Sequence, residues 1–392
     1  MYEQSILSAS SELLRVSNNA QENTRYTCTR IVNELLSQTT DSALELIILH
    51  FSSEFIVADV SEYFVSAFPT TQIIGCTSAG EFDGNGYQTT SLVAIAFEQS
   101  AFACSTILLS DLSTLDFDTA YNTARQLRQD LLRKDHFEQE QLMFLSFIDG
   151  LNMIEENFLH TFAAVFGNVP HFGGSAGDDL KLKATFVVHN KQTLQNAAVI
   201  ALIGSRRPFK IFSNDHIKTP VSQLVVTQAN PETRTVYELN GEPAAEYYAK
   251  LLGIKGGQLT PKIFSVFPLA VLVDKRYFIR SIQKVNLDDS SITFYCAVDL
   301  GMILTFVQMG DCIESLNNKL IELEDDCGQA DFVYGCDCFL RRLEIQQRER
   351  KEDIAKIHKK YNIVGFNAYG EHINSIHLNQ TFTGIYFGTS NA

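Results

Sequence analysis

Two stretches, GCTSAGE at 75–81 and FGGSAGD at 172–178, spell Ser-Ala-Gly-acid twice, each time directly after an apolar run. Small residues, a hydroxyl and a carboxylate at the end of a strand sit where open α/β sheets bind ligands, outside the carboxyl edge of the strands. The same residues also serve geometry alone, because they permit positive φ and close backbone contact. From these residues the two readings stand equal. The pair Asp178–Asp179 disfavours a phosphate ligand and favours a group that hydrogen-bonds a carboxylate.

Working outward, LELIILHF (44–51) reads as a buried strand, 56–67 as a short helix, and QIIGC (72–76) as the strand that runs into the first turn. SLVAIAFE (91–98) and AFACSTILL (101–109) follow with little between them and read as a hairpin. Apolar positions at three- and four-residue spacing behind an Asp/Thr start predict a helix over 116–134. LMFLSF (142–147), a helix near 152–166, the second turn, ATFVV (184–188) and AAVIALIG (197–204) complete a mixed α/β unit. The segment 205–223 carries two prolines and loses the strand rhythm, so it reads as a connection between domains.

Beyond it come two strands, a helix opening at Gly241–Glu242 with Pro243, and an antiparallel meander from KIFSVFPLAVLV to ILTFVQMG. A helix near 311–325, the strand DFVYGC (331–336), one long charged helix over about 339–360 and three closing strands finish the chain. The expected fold is mixed α/β, with two mixed-sheet domains and helices packed on the sheets. The boundaries are an extension at 1–29, a first domain at 30–222 and a second at 223–392. No solenoid period is visible.

Composition narrows the function classes. With 31 basic against 46 acidic residues the formal charge is −15, which repels a phosphate backbone and argues against nucleic acid. No apolar run approaches the roughly 20 residues of a membrane span, and the first residues lack the pattern of a signal peptide, so a cytoplasmic protein without membrane insertion is expected. Of the eight cysteines, Cys28, Cys76, Cys104 and Cys296 sit singly in or beside apolar runs as small hydrophobes. CDC at 336–338 has one residue between its thiols, against two to four in zinc knuckles.

No P-loop, dinucleotide fingerprint, His-Glu-x-x-His or Gly-x-Ser-x-Gly elbow is present. Of nine histidines, His171 beside the second turn, His216 in the interdomain connection and His377 stand where a cleft can form. His372 and His377, five apart in a strand, would face opposite sides. The charges of 334–361 alternate in sign, as on a solvated helix, with Cys338 and Arg341 near its start facing inward.

Five segments in order are similar to the FIST proteins, bacterial sensory modules with an N-terminal FIST and a C-terminal FIST_C domain. They are IIGCTSAGEF (73–82), FGGSAGDD (172–179), VYELNGEPAAEYYAKLLG (236–253), DCFLRRLE (337–344) and GFNAYGEHINSIHLNQTFTGIYFG (365–388). The resemblance covers the chain from about residue 30 onward. It implies a ligand-sensing input rather than an enzyme, working with a histidine kinase or another two-component or cyclic-di-GMP signalling protein. The chain resembles stand-alone members, and DCFLRRLE and HLNQTFTG resemble the NosP subgroup, which binds haem, senses nitric oxide and regulates a histidine kinase.

The first expectation is therefore a haem-dependent sensor of a gaseous ligand, with His216, His171 or His377 holding the haem and His216 first as its metal ligand. The alternative is a haem-free module for an amino acid or similar small molecule. Its site would be built from Ser78, Gly80, Glu81, Gly174, Ser175, Gly177, Asp178, Cys338, Arg341, Gly370 and Glu371. A hydrolase using Cys76 or Cys338 would need a histidine within hydrogen-bond reach.

Overall fold

The run LELIILHFS (44–52) is buried along its whole length, as a strand covered on both faces must be. It opens the first of three parallel strand pairs. A computed structural model describes residues 8–13, 20–38, 43–254, 259–273 and 275–389.

The first unit runs β1 (Ser8–Leu13), α1 (Ala20–Gln38), β2 (Leu44–Ser52), α2 (Val57–Ala67), β3 (Gln72–Ser78), the hairpin β4 (Glu81–Asp83) and β5 (Gly86–Gln88), then β6 (Ser91–Glu98). The second keeps that order: β7 (Phe102–Ser110), α3 (Phe117–Lys134), β8 (Leu142–Ile148), α4 (Glu155–Phe166), β9 (His171–Ser175), β10 (Val187–His189), β11 (Gln192–Leu194), β12 (Ala197–Ser205). The third begins with β13 (Phe209–Asn214) and is then interrupted by an inserted domain. That insert holds β14 (Ile217–Asn230), β15 (Thr235–Leu239), β16 (Glu242–Pro243), α5 (Ala244–Leu251), α6 (Pro261–Val266), β17 (Leu269–Val273), β18 (Arg276–Arg280), β19 (Ile282–Asn286), β20 (Ser291–Phe294) and β21 (Ile303–Met309). The third unit resumes with α7 (Cys312–Cys327), β22 (Ala330–Cys338), α8 (Phe339–Gln347), α9 (Lys351–Lys360), β23 (Ile363–Ala368), β24 (Glu371–Ile373), β25 (Ile376–Leu378) and β26 (Phe382–Gly388).

Each unit builds a six-stranded sheet of the same order: β1-β6-β2-β3-β10-β11, β7-β12-β8-β9-β24-β25 and β13-β26-β22-β23-β4-β5. The central pairs β2/β3, β8/β9 and β22/β23 are parallel. The hairpins are exchanged in a circle, the first unit's onto β23, the third's onto β9 and the second's onto β3. No unit completes its own sheet, so the three fold as one body.

One hydrophobic core fills the space between the sheets, with Ile48, Ile74, Leu145, Phe147, Phe172, Tyr334, Phe366 and Ile385 among its members. The opposite sheet faces carry separate cores under α1/α2, α3/α4 and α7/α9. Sequence explains the helices locally. In α3 the Asp116 side chain accepts from Thr119 N, and Ala120, Ala124, Leu127 and Leu131 form its buried stripe.

The structure corrects several readings. β6 and β7 do not form a hairpin: β6 lies between β1 and β2, while β7 pairs with β12, so residues 99–101 turn a corner between sheets. Part of 205–223 is strand, because β13 pairs with β26 from Phe209↔Phe387 to Asn214↔Phe382. Its polar rhythm is that of an edge strand, only partly buried. The position 222/223 lies inside β14, KIFSV is the helix α6, and residues 1–29 supply β1 and the first part of α1. The long helix breaks in two at Glu349, whose φ of 57° is left-handed. His372 and His377 face each other across the β24/β25 hairpin, on one side of it, with ring centroids 5.5 Å apart.

Candidate functional site

The exchange of hairpins brings the ends of β3, β9 and β23 to one point, where their turns bond pairwise. Gly177 N donates to the Thr77 carbonyl (2.9 Å) and Asp179 N to Ser78 (3.1 Å), joining the two Ser-Ala-Gly turns. Ala79 N donates to the Asn367 carbonyl (2.8 Å) and Asn367 N to Gly80 (2.6 Å). Ser175 N donates to Gly370 (2.8 Å) and Tyr369 N to Ser175 (3.2 Å), closing the ring. Ala368-Tyr369-Gly370-Glu371 is thus the third turn of the set.

The acids of the turns are structural. Glu81 is fully buried and accepts from the hydroxyls of Ser78 and Ser91. Burial pushes its carboxyl up to about 8 against the pull of those hydroxyls. Glu371 accepts from Thr381 N (3.2 Å) and Thr381 Oγ1 (2.7 Å), and burial likewise holds its carboxyl well above the usual range. Thr381 stands to Glu371 as Ser91 stands to Glu81. Asp178 accepts from Leu182 N (2.9 Å), Lys183 N (2.6 Å), Ala184 N (3.0 Å) and the Tyr369 hydroxyl. Gly80, Gly174, Gly177 and Gly370 are all sites of close approach: an added Cβ would meet Arg342, Cys336, the Ala79 nitrogen and His377 respectively. Gly241–Glu242, the remaining Gly-Glu pair, belongs to the inserted domain, where Glu242 pairs with Lys250 at 2.9 Å.

Around this junction lie two cavities at the carboxyl edge of the parallel pairs, where α/β sheets carry ligands. The larger, about 190 Å³, is lined by Glu54, Ala79, Thr89, Thr90, Asp179, Leu180, Phe339, Arg342, Leu343 and Gln346. Its walls come from all three units. The smaller, about 50 Å³, lies against the inserted domain and includes Leu151, Leu182, Arg234, Tyr295 and Tyr369. Phe339 separates them, its ring 5.5 Å from those of Tyr295 and Tyr369.

Arg342 is the charged floor of the larger cavity. It donates to the Ala79 carbonyl (2.9 Å) and to Asn367 Oδ1 (3.3 Å) and is only 8% exposed. Burial lowers its pKa, and the surrounding acids, Glu81 foremost, only partly offset that. Asp179 faces it from the second turn, where its Oδ2 accepts from Ser52 Oγ (2.9 Å), Ser53 N (2.9 Å) and Ser53 Oγ (2.8 Å). Glu54 pairs with Lys181 at 2.7 Å. The loop 178–184 holds Asp179, Leu180 and Leu182 at φ of 55°, 65° and 52°. Bulky residues take that conformation only when their surroundings compel it, and such strain concentrates at ligand clamps. Here the Asp178 carboxylate compels it, presenting Leu180 to one cavity and Leu182 to the other.

None of the eleven residues singled out in sequence as a ligand shell lines either cavity. Cys338 is buried at the start of α8, in a small cluster with Ala79, Phe339, Leu340 and Tyr369. Arg341 is fully buried on another side of α8, 3.0 Å from Asp337 and donating to the Cys312 carbonyl (3.1 Å). The residue that sequence reasoning missed is Arg342, one position on. DCFLRRLE holds both arginines, and consecutive helical residues point about 100° apart.

The three candidate histidines do not converge. His171 Nε2 meets Ser146 Oγ (2.8 Å) and Nδ1 meets the Asn374 carbonyl (2.9 Å), so both nitrogens are engaged, and burial holds it down at about 4. His377 Nδ1 meets Glu156 Oε1 (3.2 Å), while its Nε2 is buried over Gly370. His372, bonded to Ser175 Oγ (3.1 Å), lies between these two rings. His216 stands apart, its Nε2 2.8 Å from Glu344 Oε2, beside a cavity lined by Asp215, Asp311, Glu314 and Arg348. A haem needs an imidazole nitrogen facing an apolar pocket. None of the three offers one, and these residues do not fit a haem.

Cys76 does have a histidine in reach, His50 Nδ1 at 3.5 Å, and His50 Nε2 meets the Tyr334 hydroxyl at 2.6 Å. Both are fully buried in the central core, where burial drives the thiol up and the imidazole down, so both stay neutral. That is the opposite of an activated thiolate.

Residues 45–242 match the FIST N domain family and residues 244–374 the FIST C domain family. The chain belongs to the FIST family, whose domains are small-ligand sensory modules of signalling proteins. It is also similar to an uncharacterized protein of Methanocaldococcus jannaschii, 21% identical over 377 residues, an alignment covering 82% of this chain and 69% of that protein. Among the described residues no helix is long and apolar enough to cross a membrane.

Proposed function

We propose that the chain is a haem-free sensor of a small zwitterionic metabolite of the α-amino-acid type, bound in the cavity above Arg342. One observation carries the reading: a buried guanidinium, two carboxylates and an apolar wall converge on a space of about 190 Å³. A ligand carboxylate meets Arg342 in a charge-assisted pair. Its ammonium group lies toward Asp179 and Glu54, and its apolar substituent packs on Phe339, Leu343 and Leu180. Catalysis is not part of the proposal, because the groups lining the cavity bind charge and carry no activated nucleophile.

The signal follows from where the walls originate. Glu54, Thr89 and Thr90 belong to the first unit, Asp179 and Leu180 to the second, Phe339 and Arg342 to the third. A ligand that touches all three favours one relative placement of them, and only such differential contact shifts an equilibrium. The output passes to a partner signalling protein such as a histidine kinase, a step that membership of a sensory family supports. A thermal-shift screen of the full chain against amino acids tests the proposal: ligand at 100 times its dissociation constant stabilises by about 2.7 kcal/mol. No shift with any member of the screen would count against it.

A further inference from the structure

The inserted domain is tied to the body by two connections that run side by side. One leaves β13 through Asp215 and His216, and the other returns through Gly310 and Asp311 into α7. Gly310 N donates to the His216 carbonyl at 2.7 Å, and Ser315 Oγ donates to the Asp215 carbonyl at 2.7 Å. His216 from the first connection and Cys312 from the second face Glu344 of α8. Their ligand-capable nitrogen, sulfur and oxygen atoms lie within 4.8 Å of one another, and all three side chains are buried. Independently, His216 Nδ1 is buried with no hydrogen-bond partner, an arrangement proteins rarely leave without a use. His216 also lines a cavity of about 570 Å³ whose charged residues are Asp215, Asp311 and Glu314 together with Lys218 and Arg348, and through which an ion and water can reach it.

We propose that His216, Cys312 and Glu344 bind one divalent transition ion of the zinc type, with a water from that cavity as fourth ligand. Imidazole, thiolate and carboxylate at bond lengths of about 2.0–2.3 Å place ligand atoms about 3.5 Å apart, within the 4.8 Å that spans the three groups, and the 2.8 Å contact of His216 Nε2 with Glu344 Oε2 gives way to bonds to the ion. A thiolate in the set selects zinc, cobalt or nickel over magnesium and calcium. On binding, the Cys312 S–H bond gives way to an S–metal bond and the proton leaves to solvent. Of the two nearby guanidiniums, Arg341 is matched by Asp337 at 3.0 Å, and Arg348 bonds Glu344 Oε1 at 2.8 Å, which leaves Oε2 for the ion. The ion pins both connections of the inserted domain to α8, the helix that carries Arg342. This inference does not depend on what occupies the cavity above Arg342.

The experiment loads the full-length protein with zinc chloride, desalts it and counts metal by mass spectrometry, then repeats the loading with cobalt. About one zinc per chain is expected, and a thiolate-to-cobalt absorption band. C312S abolishes the band, H216Q and E344Q each lower the zinc retained after desalting, and C327S, at the far end of α7, changes neither the band nor the zinc count. A folded wild-type protein that retains no zinc, or a C312S variant that retains as much as wild type, overturns the proposal. The wild-type count decides the matter even if a variant fails to fold.

Discussion

Replacing Gly177 by alanine strikes the junction of the three turns directly. The added Cβ would stand 2.5 Å from the Ala79 nitrogen, 2.8 Å from the Ser78 carbonyl carbon and 3.0 Å from the Ala79 Cβ. The first two are backbone atoms that cannot rotate away. Ordinary carbon contacts fall near 3.5–4.0 Å, so the first and second turns must part by about 1 Å. Such overpacking costs about 1–3 kcal/mol. The shift also weakens the Gly177–Thr77 and Asp179–Ser78 hydrogen bonds, now 2.9 and 3.1 Å, each worth about 1 kcal/mol. The expected loss is therefore about 3–5 kcal/mol. Urea unfolding followed by circular dichroism reads it as a lower midpoint at unchanged slope. Gly84→Ala is the control: its Cβ would meet nothing nearer than Lys359 Cα at 3.8 Å, and it should change stability by less than about 0.5 kcal/mol. A loss below 1 kcal/mol for G177A, or one equal to that of G84A, would refute the three-turn junction.

Two further outcomes follow from the buried groups. Burial holds the Glu81 carboxyl at about 8 in the folded chain against an ordinary 4.5. Between those values the native state keeps a proton that the unfolded chain has released, so stability falls as pH rises from about 4.5 to about 8, by at most about 5 kcal/mol. Glu81→Gln removes that contribution, and urea midpoints at pH 5 and pH 8 should draw closer than in wild type; an unchanged gap sinks the assignment. The histidine geometry gives the second: protein purified with haem supplied, then desalted, should show no Soret band, whereas a stoichiometric band that shifts with nitric oxide contradicts the reading of His171, His216 and His377.

Much of the local structure was legible because burial is periodic. LELIILHFS reads as a strand covered on both faces and 116–134 as an amphipathic helix, and both form as read. What escaped was long-range pairing. β6 and β7 are neighbours in sequence but members of different sheets, and β13, polar because it is a partly exposed edge strand, pairs with β26 at the far end of the chain. The threefold recurrence was hidden because the inserted domain separates β13 from α7, so the third unit does not repeat at the spacing of the first two. The turns at 78–81, 175–178 and 368–371 were legible as a set only in part, since Ala368-Tyr369 replaces Ser-Ala. Their role answers the question they raise: their serines, glycines and acids serve geometry, while Asp179, one residue past the second turn, and Arg342 of α8 supply the charged groups of the larger cavity. The choice between Arg341 and Arg342 depends on which face of α8 docks on the sheet, which a single sequence does not encode locally.

The central claim is that Arg342 receives the charged group of a small ligand. Isothermal titration of the wild-type chain and of R342A with the amino acid that gives the largest thermal shift tests it most directly. A charge-assisted hydrogen bond is worth about 1.5–3 kcal/mol, so R342A, folded as judged by circular dichroism, should bind about 10–150-fold more weakly. Equal affinity in the two proteins would contradict the account.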